Sequence, residues 1–264
     1  MIGFIGGGNM AEALIKGMTS RGMRDIIVSE PREERRKHLE QSYGIMTSPL
    51  NKPVASSCSI IVLAVKPQNM GAVLDEIADV VTDEKTVVSI AAGITLSYLQ
   101  SRLRTKRLVR VMPNTPALVQ EGMTVMSLCE CFSDTDIAMV REMFLSVGSV
   151  LTLPEKQMNA VTALSGSGPA FLALFTEAMV EAGVAMGLSR DNASELAVQT
   201  FIGTARLLET GMPPERLRDM VTSPGGTTAA GLKVFGEKKF AGIVGDALQA
   251  ALRRAEELGM GRRQ

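Results

Sequence analysis

A helical stretch late in the chain is interrupted by Thr222-Ser223-Pro224-Gly225-Gly226-Thr227-Thr228, which sets hydroxyls beside residues that leave backbone N–H groups uncovered. Placed before a helix, such donors attract a carboxylate or phosphate, because first-turn N–H groups have no partner inside the helix. A hydroxyl among them can orient a neighbouring nitrogen or oxygen. Two further stretches have the same build. Ser165-Gly166-Ser167-Gly168-Pro169-Ala170 reads as an open loop leading into a helix, and Met112-Pro113-Asn114-Thr115-Pro116 follows an apolar run. Taken singly, each can equally be a helix cap or a linker.

A more explicit anion-binding pattern opens the chain. Met1–Ile5 reads as a strand and runs into Gly6-Gly7-Gly8-Asn9-Met10-Ala11, which fits G-x-G-x-x-G/A with Ala11 in the third small position. Gly6 allows the tight turn, Gly8 lets a pyrophosphate approach the backbone, and Ala11 lets the helix lie close to the strand.

The elements that must position these residues follow from the periodicity. Strand-like apolar runs at Ile26–Ser29, Ile60–Val65, Thr86–Ile90 and Leu108–Met112 alternate with helical patterns at Ala11–Arg21, Arg32–Tyr43 and Asn69–Val80. Non-alternating strands separated by helices predict a parallel sheet covered on both faces. Residues 1–153 therefore read as an α/β dinucleotide-binding domain of the Rossmann type. Ligands of such sheets bind beyond the carboxyl ends of the strands. Ala64-Val65-Lys66-Pro67 and Ser89-Ile90-Ala91-Ala92-Gly93 belong to that face. Ser29-Glu30-Pro31-Arg32 ends the second strand, where the ribose of the cofactor is read. Glu30 suits the ribose diol of NAD, whereas Ser29 and Arg32, with Arg35 and Arg36, suit the 2′-phosphate of NADP. Both readings stay open.

Beyond Leu153-Pro154 the strand pattern stops, and residues 154–264 read as an all-helical domain. Its helical patterns cover Glu155–Ala163, Ala170–Met186, Arg190–Thr210, Pro214–Val221, Ala229–Phe235 and Phe240–Leu258. Ala170–Met186 is apolar on more than one stripe, which in a small domain predicts burial against a second copy.

A dinucleotide fold followed by a helical domain suggests hydride transfer. Reduction of a ketone needs a proton donor, commonly His, Lys or Tyr. The sole histidine, His38, lies in a charged run; Tyr43 and Tyr98 fall away from the strand ends, and Lys66 borders the cofactor face. A protonated imine carries its own positive charge. Hydroxyls that orient its nitrogen, and N–H groups that hold a carboxylate, are then sufficient. Alternatives are a reductase of another cyclic imine or of a hydroxy acid, and a non-catalytic NAD(P)-sensing module. Against the hydroxy-acid enzymes, whose catalytic lysine sits on the long interdomain helix, Ala170–Met186 contains no lysine.

Lys+Arg 28 balance Asp+Glu 28, so net charge points to neither nucleic acid nor an acidic membrane surface. No run reaches the roughly 18 uninterrupted apolar residues of a membrane span. The first residues lack the basic flank of a signal peptide, and three cysteines without export signals predict a reducing, cytoplasmic setting. Cys129 and Cys131 are expected to share one face of a strand, but two thiolates do not complete a tetrahedral shell, so no metal is expected.

The motifs GFIGGGNMA, AVKPQ, SIAAGI, RVMPNTPA, ALSGSGPA and VTSPGGTT, in that order along essentially the whole chain, resemble the pyrroline-5-carboxylate reductase family. The resemblance implies reduction of the cyclic imine 1-pyrroline-5-carboxylate to L-proline, the last step of proline biosynthesis, with NADPH or alternatively NADH. It implies a Rossmann domain followed by an all-α domain that interlocks with a second subunit, giving a homodimer or a larger homo-oligomer. By position it implies cofactor contacts at Ile5, Gly6, Gly7, Gly8, Asn9 and Met10, and at Ser29, Arg32 and Asn51. Further cofactor contacts fall at Ala64, Val65, Lys66, Pro67, Ala91, Ala92, Pro113 and Asn114. Substrate contacts fall at Ser223, Gly225, Gly226, Thr227 and Thr228, with the Thr228 hydroxyl as the catalytic group at the imine nitrogen. Two departures stand out. The turn after Ser29 is acidic, and Gly211 stands where some relatives carry a glutamate.

Overall fold

Strands β1 (Ile2–Ile5), β2 (Ile26–Ser29), β3 (Met46–Ser48), β4 (Ile60–Leu63), β5 (Thr86–Ser89), β6 (Leu108–Met112), β7 (Gly122–Leu128) and β8 (Gly148–Thr152) form one sheet. The order is β3-β2-β1-β4-β5-β6-β7-β8, with neighbours parallel except the antiparallel pair β6 and β7. The computed structural model describes residues 1–129, 132 and 134–260. Helices on the two faces are α1 (Asn9–Ser20), α2 (Glu33–Tyr43), α3 (Asn51–Ser57), α4 (Met70–Ile77), α5 (Leu96–Arg102) and α6 (Asp134–Leu145).

Alternation along each strand divides the core between the faces. Phe4, Val62, Val88 and Val109 pack with Leu14, Ile15 and Met18 of α1 and Phe144 of α6. Ile5, Leu63 and Val87 pack on the other side with Met70 and Leu74 of α4 and Leu99 of α5. Both faces of β1, β4 and β5 are thus dry, which explains their continuous apolar runs. The chain reverses direction of sheet growth between β1 and β4, leaving the crevice that α/β sheets use for ligands.

The sequence pattern located β1, β2, β4, β5 and β6 but not β3, β7 or β8. Those three mix Gly, Ser, Thr and Met and lie toward the two edges of the sheet, where one face need not be apolar. A second difference concerns Ser165–Ala170, expected as an open loop. After a short α7 (Met158–Val161), Thr162–Gly166 is a π turn, closed by the Ser167 N–H to the Thr162 carbonyl at 2.9 Å. The Ser167 hydroxyl donates to the same carbonyl. Pro169 then sits in the first turn of α8 (Gly168–Ala185), where its missing N–H leaves no hydrogen bond unmade. Cys129 lies just past the last residue of β7, Cys58 is buried and free, and Cys131 lies outside the described residues.

By compactness the chain divides into Met1–Ser167 with the segment from Ala251, and Gly168–Ala250. The second unit contains α8, α9 (Arg190–Glu209), α10 (Pro214–Met220), α11 (Thr227–Glu237) and the first half of α12 (Phe240–Met260). Ser189 caps α9 by accepting the Asn192 N–H at 3.2 Å. Phe175, Phe201, Phe235 and Phe240 bring α8, α9, α11 and α12 together, with ring centroids 5.0–6.3 Å apart. Among the described residues of this unit, the buried apolar cluster is only Val180, Ala193 and Ala197. Leu172, Leu174, Met186, Leu196 and Ile202 are exposed. By length and composition alone the helical run Glu155–Ala185 is apolar enough to cross a membrane.

Candidate active site

The first unit builds its site at the carboxyl end of β1. Gly6 turns with φ +102, its N–H donating to the Ser29 carbonyl at 2.9 Å. An added Cβ there would stand 2.8 Å from the Ala64 carbonyl oxygen, so the turn is held against the β4 end. Gly8 is the N-cap of α1, and the first helical bond runs from Glu12 N–H to the Gly8 carbonyl. The N–H groups of Asn9, Met10 and Ala11 therefore have no helical acceptor and face outward from the helix start. A Cβ built on Gly8 meets nothing within 4 Å. The fold itself does not require glycine at that point.

Behind this loop, α2 supplies a charged brace. Arg35 donates Nε to the Gly7 carbonyl at 2.6 Å and its NH2 to Glu12. The other Glu12 oxygen accepts the Tyr43 hydroxyl at 2.8 Å and lies 2.7 Å from His38 Nε2. Partial burial raises the Glu12 pKa, but the hydrogen bonds from His38, Tyr43 and Arg35 outweigh it and hold the carboxyl at about 2. Burial and the bond to Glu12 push the Tyr43 phenol up to about 12. His38 thus belongs to the brace.

At the β2 end the Ser29 hydroxyl donates to Asn51 Oδ1 at 2.7 Å, and Asn51 Nδ2 donates to Glu76 at 2.7 Å. Glu30 is 5% exposed and turns its carboxylate toward the glycine loop. There Oε2 accepts the Gly7 N–H at 3.2 Å, while Oε1 accepts the Arg32 N–H at 3.1 Å and Arg32 Nε at 2.8 Å. Burial raises the Glu30 pKa, yet the Arg32 side chain and the two backbone donors lower it below the ordinary value.

Across the sheet Ile5, Leu63 and Ser89 are in register, which brings the segments after β4 and β5 to the same edge. Ala64 N–H donates to the Ile5 carbonyl at 2.9 Å, and Pro67 opens a short 3-10 turn preceded by exposed Lys66. Ala91 is buried and Ala92 half-buried, leaving a surface of small side chains. After β6, Pro113 is buried and the Asn114 amide is used on both sides by the protein itself. Its Oδ1 accepts the Met123 N–H at 2.8 Å, and its Nδ2 donates to the Ser165 carbonyl and hydroxyl at 3.3 and 3.2 Å. One polar clamp was not anticipated. Buried Arg110 donates to Glu155 at 3.1 Å and Asn159 at 3.4 Å, while Glu155 also accepts the Leu96 N–H at 2.7 Å. Arginine in a strand pattern gave no sign of partners on a segment 45 residues later.

In the second unit the predicted loop is the entry to α11. The helix starts at Thr227, two residues before the expected Ala229, because Gly226 serves as its N-cap without a capping side chain. Gly225 adopts φ +71, a conformation that costs other residues about 1–2 kcal/mol. A Cβ on Gly226 would run into the Ser223 hydroxyl. Gly226 N–H donates to the Ser223 carbonyl at 3.0 Å, and the first helical return is Ala230 N–H to the Gly226 carbonyl at 3.1 Å. The N–H groups of Thr227, Thr228 and Ala229 are left without helical acceptors at the helix start, and Thr228 is half-buried there. Ser223 and Thr227 are exposed.

Comparison with known proteins identifies the family. Residues 155–258 match the family model for pyrroline-5-carboxylate reductase dimerisation, and residues 1–93 match that for NADP oxidoreductase, coenzyme F420-dependent. A pyrroline-5-carboxylate reductase of Synechocystis is 41% identical over 262 residues, covering 98% of each chain. Among solved structures, a pyrroline-5-carboxylate reductase from Coxiella burnetii aligns with a TM-score of 0.91 at 36% identity, over 97% of each chain. The Plasmodium falciparum pyrroline carboxylate reductase, solved with NADP bound, aligns with a TM-score of 0.88 at 32% identity, over 98% of this chain and 97% of that one.

Proposed function

The chain belongs to the pyrroline-5-carboxylate reductase family, and from that premise we propose that it reduces 1-pyrroline-5-carboxylate to L-proline, the last step of proline biosynthesis. It is an NAD(P)H-dependent oxidoreductase acting on a C=N bond. The single observation that carries the assignment of roles is the bare start of α11, in a chain that matches such reductases over 98% of its length.

The first unit fits a dinucleotide. The amides of Asn9, Met10 and Ala11 receive the pyrophosphate beside the open face of Gly8, with Ile5, Gly6 and Gly7 setting the turn. Ser29, Glu30, Arg32 and Asn51 lie toward the adenosine ribose, and Ala64, Val65, Lys66, Pro67, Ala91 and Ala92 toward the nicotinamide. Pro113 and Asn114 shape the β6 side of this surface, Asn114 by fixing the π turn at Ser165. Bound there, the reduced nicotinamide supplies the hydride.

The second unit addresses the substrate. Backbone N–H groups of Thr227 and its successors hold the carboxylate at the helix start, favoured by the positive end of the helix dipole. Gly225 and Gly226 let the loop adopt that shape, and Ser223 closes it. The Thr228 hydroxyl accepts a hydrogen bond from the protonated imine nitrogen. That bond orients the C=N group and keeps the proton on nitrogen while the carbon receives the hydride, so the product is the neutral amine ring with no further proton donor needed.

The helical unit buries too little of its own apolar surface to stand alone, and the chain carries a dimerisation region. Homo-oligomerisation covers Leu172, Leu174, Leu196 and Ile202, and the simplest assembly consistent with these faces is a homodimer. The assignment of activity is tested by mixing purified protein with 1-pyrroline-5-carboxylate and either reduced dinucleotide. Substrate-dependent loss of nicotinamide absorbance is expected, and its absence with both cofactors overturns the assignment.

A further inference from the structure

The turn after β2 bears on which dinucleotide the protein takes, given that it binds one at the glycine loop. Glu30 is fixed there from both ends. Its N–H donates to the Ser48 carbonyl at 2.9 Å, and its carboxylate accepts the Gly7 N–H at 3.2 Å. A Cβ on Gly7 would stand 3.3 Å from Glu30 Oε2, so the carboxylate lies directly against the loop that receives the pyrophosphate. β1 and β2 are parallel neighbours, and the adenosine ribose of a dinucleotide on β1 reaches the β2 end. Two ribose hydroxyls arriving at Glu30 can take over the acceptor positions that the exposed Arg32 side chain holds at 2.8 and 3.3 Å. A 2′-phosphate arriving there finds a like charge.

The groups that could offset that repulsion are already engaged. Arg32 is paired with the Glu30 carboxylate itself at 2.8 Å. Arg35 is spent on the Gly7 carbonyl and Glu12, and Arg36 donates to the Glu30 and Pro31 carbonyls, both at 2.8 Å. Lys37 pairs with Glu33 at 2.7 Å. The Ser29 hydroxyl is buried and donates to Asn51. Binding a 2′-phosphate would require one of these cations to leave its acceptor and the Glu30 charge to be displaced or neutralised.

We propose that Glu30 is a specificity-determining residue that makes this protein select NADH over NADPH. The test is direct titration of NADH and NADPH against the full chain by nicotinamide fluorescence, in one buffer at fixed salt, alongside kcat/KM for each. The wild-type protein binds NADH at least about tenfold more tightly, since like charges brought together across a binding site cost more than that factor requires. In Glu30→Gln, which keeps the shape and the acceptor for Gly7, NADPH tightens and the ratio shrinks toward parity. Arg32→Ala removes the counter-ion of Glu30 and widens the preference for NADH. Equal or tighter wild-type binding of NADPH overturns the proposal, as does an unchanged ratio in Glu30→Gln. Failure of the wild type to bind either dinucleotide is a different result, and overturns the dinucleotide reading on which the proposal rests.

Discussion

Alanine at two neighbouring glycines separates what the fold demands from what the ligand demands. At Gly6 the backbone has φ +102, which costs a residue with a Cβ about 1–2 kcal/mol. The added carbon also stands 2.8 Å from the Ala64 carbonyl oxygen and 3.1 Å from Val65 Cγ1. Neither strand end can yield cheaply, since Gly6 N–H is bonded to Ser29 and Ala64 N–H to Ile5, both at 2.9 Å. Overpacking of this kind adds about 1–3 kcal/mol, so Gly6→Ala is expected to lose about 2–5 kcal/mol of stability. Gly8 is the opposite case. Its φ of −71 suits any residue, and a Cβ there touches nothing within 4 Å. Gly8→Ala is expected to change stability by less than about 1 kcal/mol. It nevertheless fills the space a pyrophosphate needs, and dinucleotide affinity is expected to fall at least about tenfold, or 1.4 kcal/mol. With no tryptophan in the chain, unfolding in urea is followed by far-ultraviolet circular dichroism, and binding by nicotinamide fluorescence. Wild-type affinity in Gly8→Ala, or wild-type stability in Gly6→Ala, would refute the reasoning.

Thr228→Ala is expected to lower turnover about a hundredfold while leaving dinucleotide affinity near wild type; equal loss of both in steady-state and binding assays would make the residue structural instead. The Glu12 brace gives a pH dependence. Its carboxyl titrates at 4.5 when unfolded and at about 2 when folded, so its stabilisation is fully present above 4.5 and is lost as pH falls toward 2. With the Glu12 side chain 21% exposed, that amounts to about 2 kcal/mol after screening. Urea unfolding of wild type and Glu12→Gln should show a stability gap that closes over this interval, and a gap independent of pH would remove Glu12 as its source. Sedimentation at micromolar concentration should show a homo-oligomer, because the exposed leucines of α8 and α9 need cover; a monomer would contradict that reading.

Much of the first unit was legible because burial on both faces leaves continuous apolar strands, as in Ile26–Ser29 and Ile60–Leu63. The glycine turn was legible because its steric demands are local. β3 and β8 were not, since edge strands can be polar and short. The Gly-Ser-Gly-Pro stretch read as a loop by composition, yet i to i+5 bonding to Thr162 keeps it helical up to α8. Residue types at the β2 end could not distinguish a phosphate-binding arginine cluster from one bound to protein acceptors. That depends on where Glu30, Gly7 and Glu12 lie in space, which residue type alone does not give; Arg32 lies 2.8 Å from Glu30 and Arg35 2.6 Å from the Gly7 carbonyl. The partners of the Asn114 amide, Met123 and Ser165, were likewise not legible, because they lie 9 and 51 residues away along the chain.

The reduction of the imine to the amino acid is tested most directly by product stoichiometry. Purified protein is incubated with 1-pyrroline-5-carboxylate and NADH, and L-proline is quantified against dinucleotide oxidised. Proline formed mole for mole with oxidised dinucleotide, and formed about a hundredfold more slowly in Thr228→Ala under the same conditions, is the expected result. Dinucleotide oxidation without proline, or no oxidation with either NADH or NADPH, would contradict it.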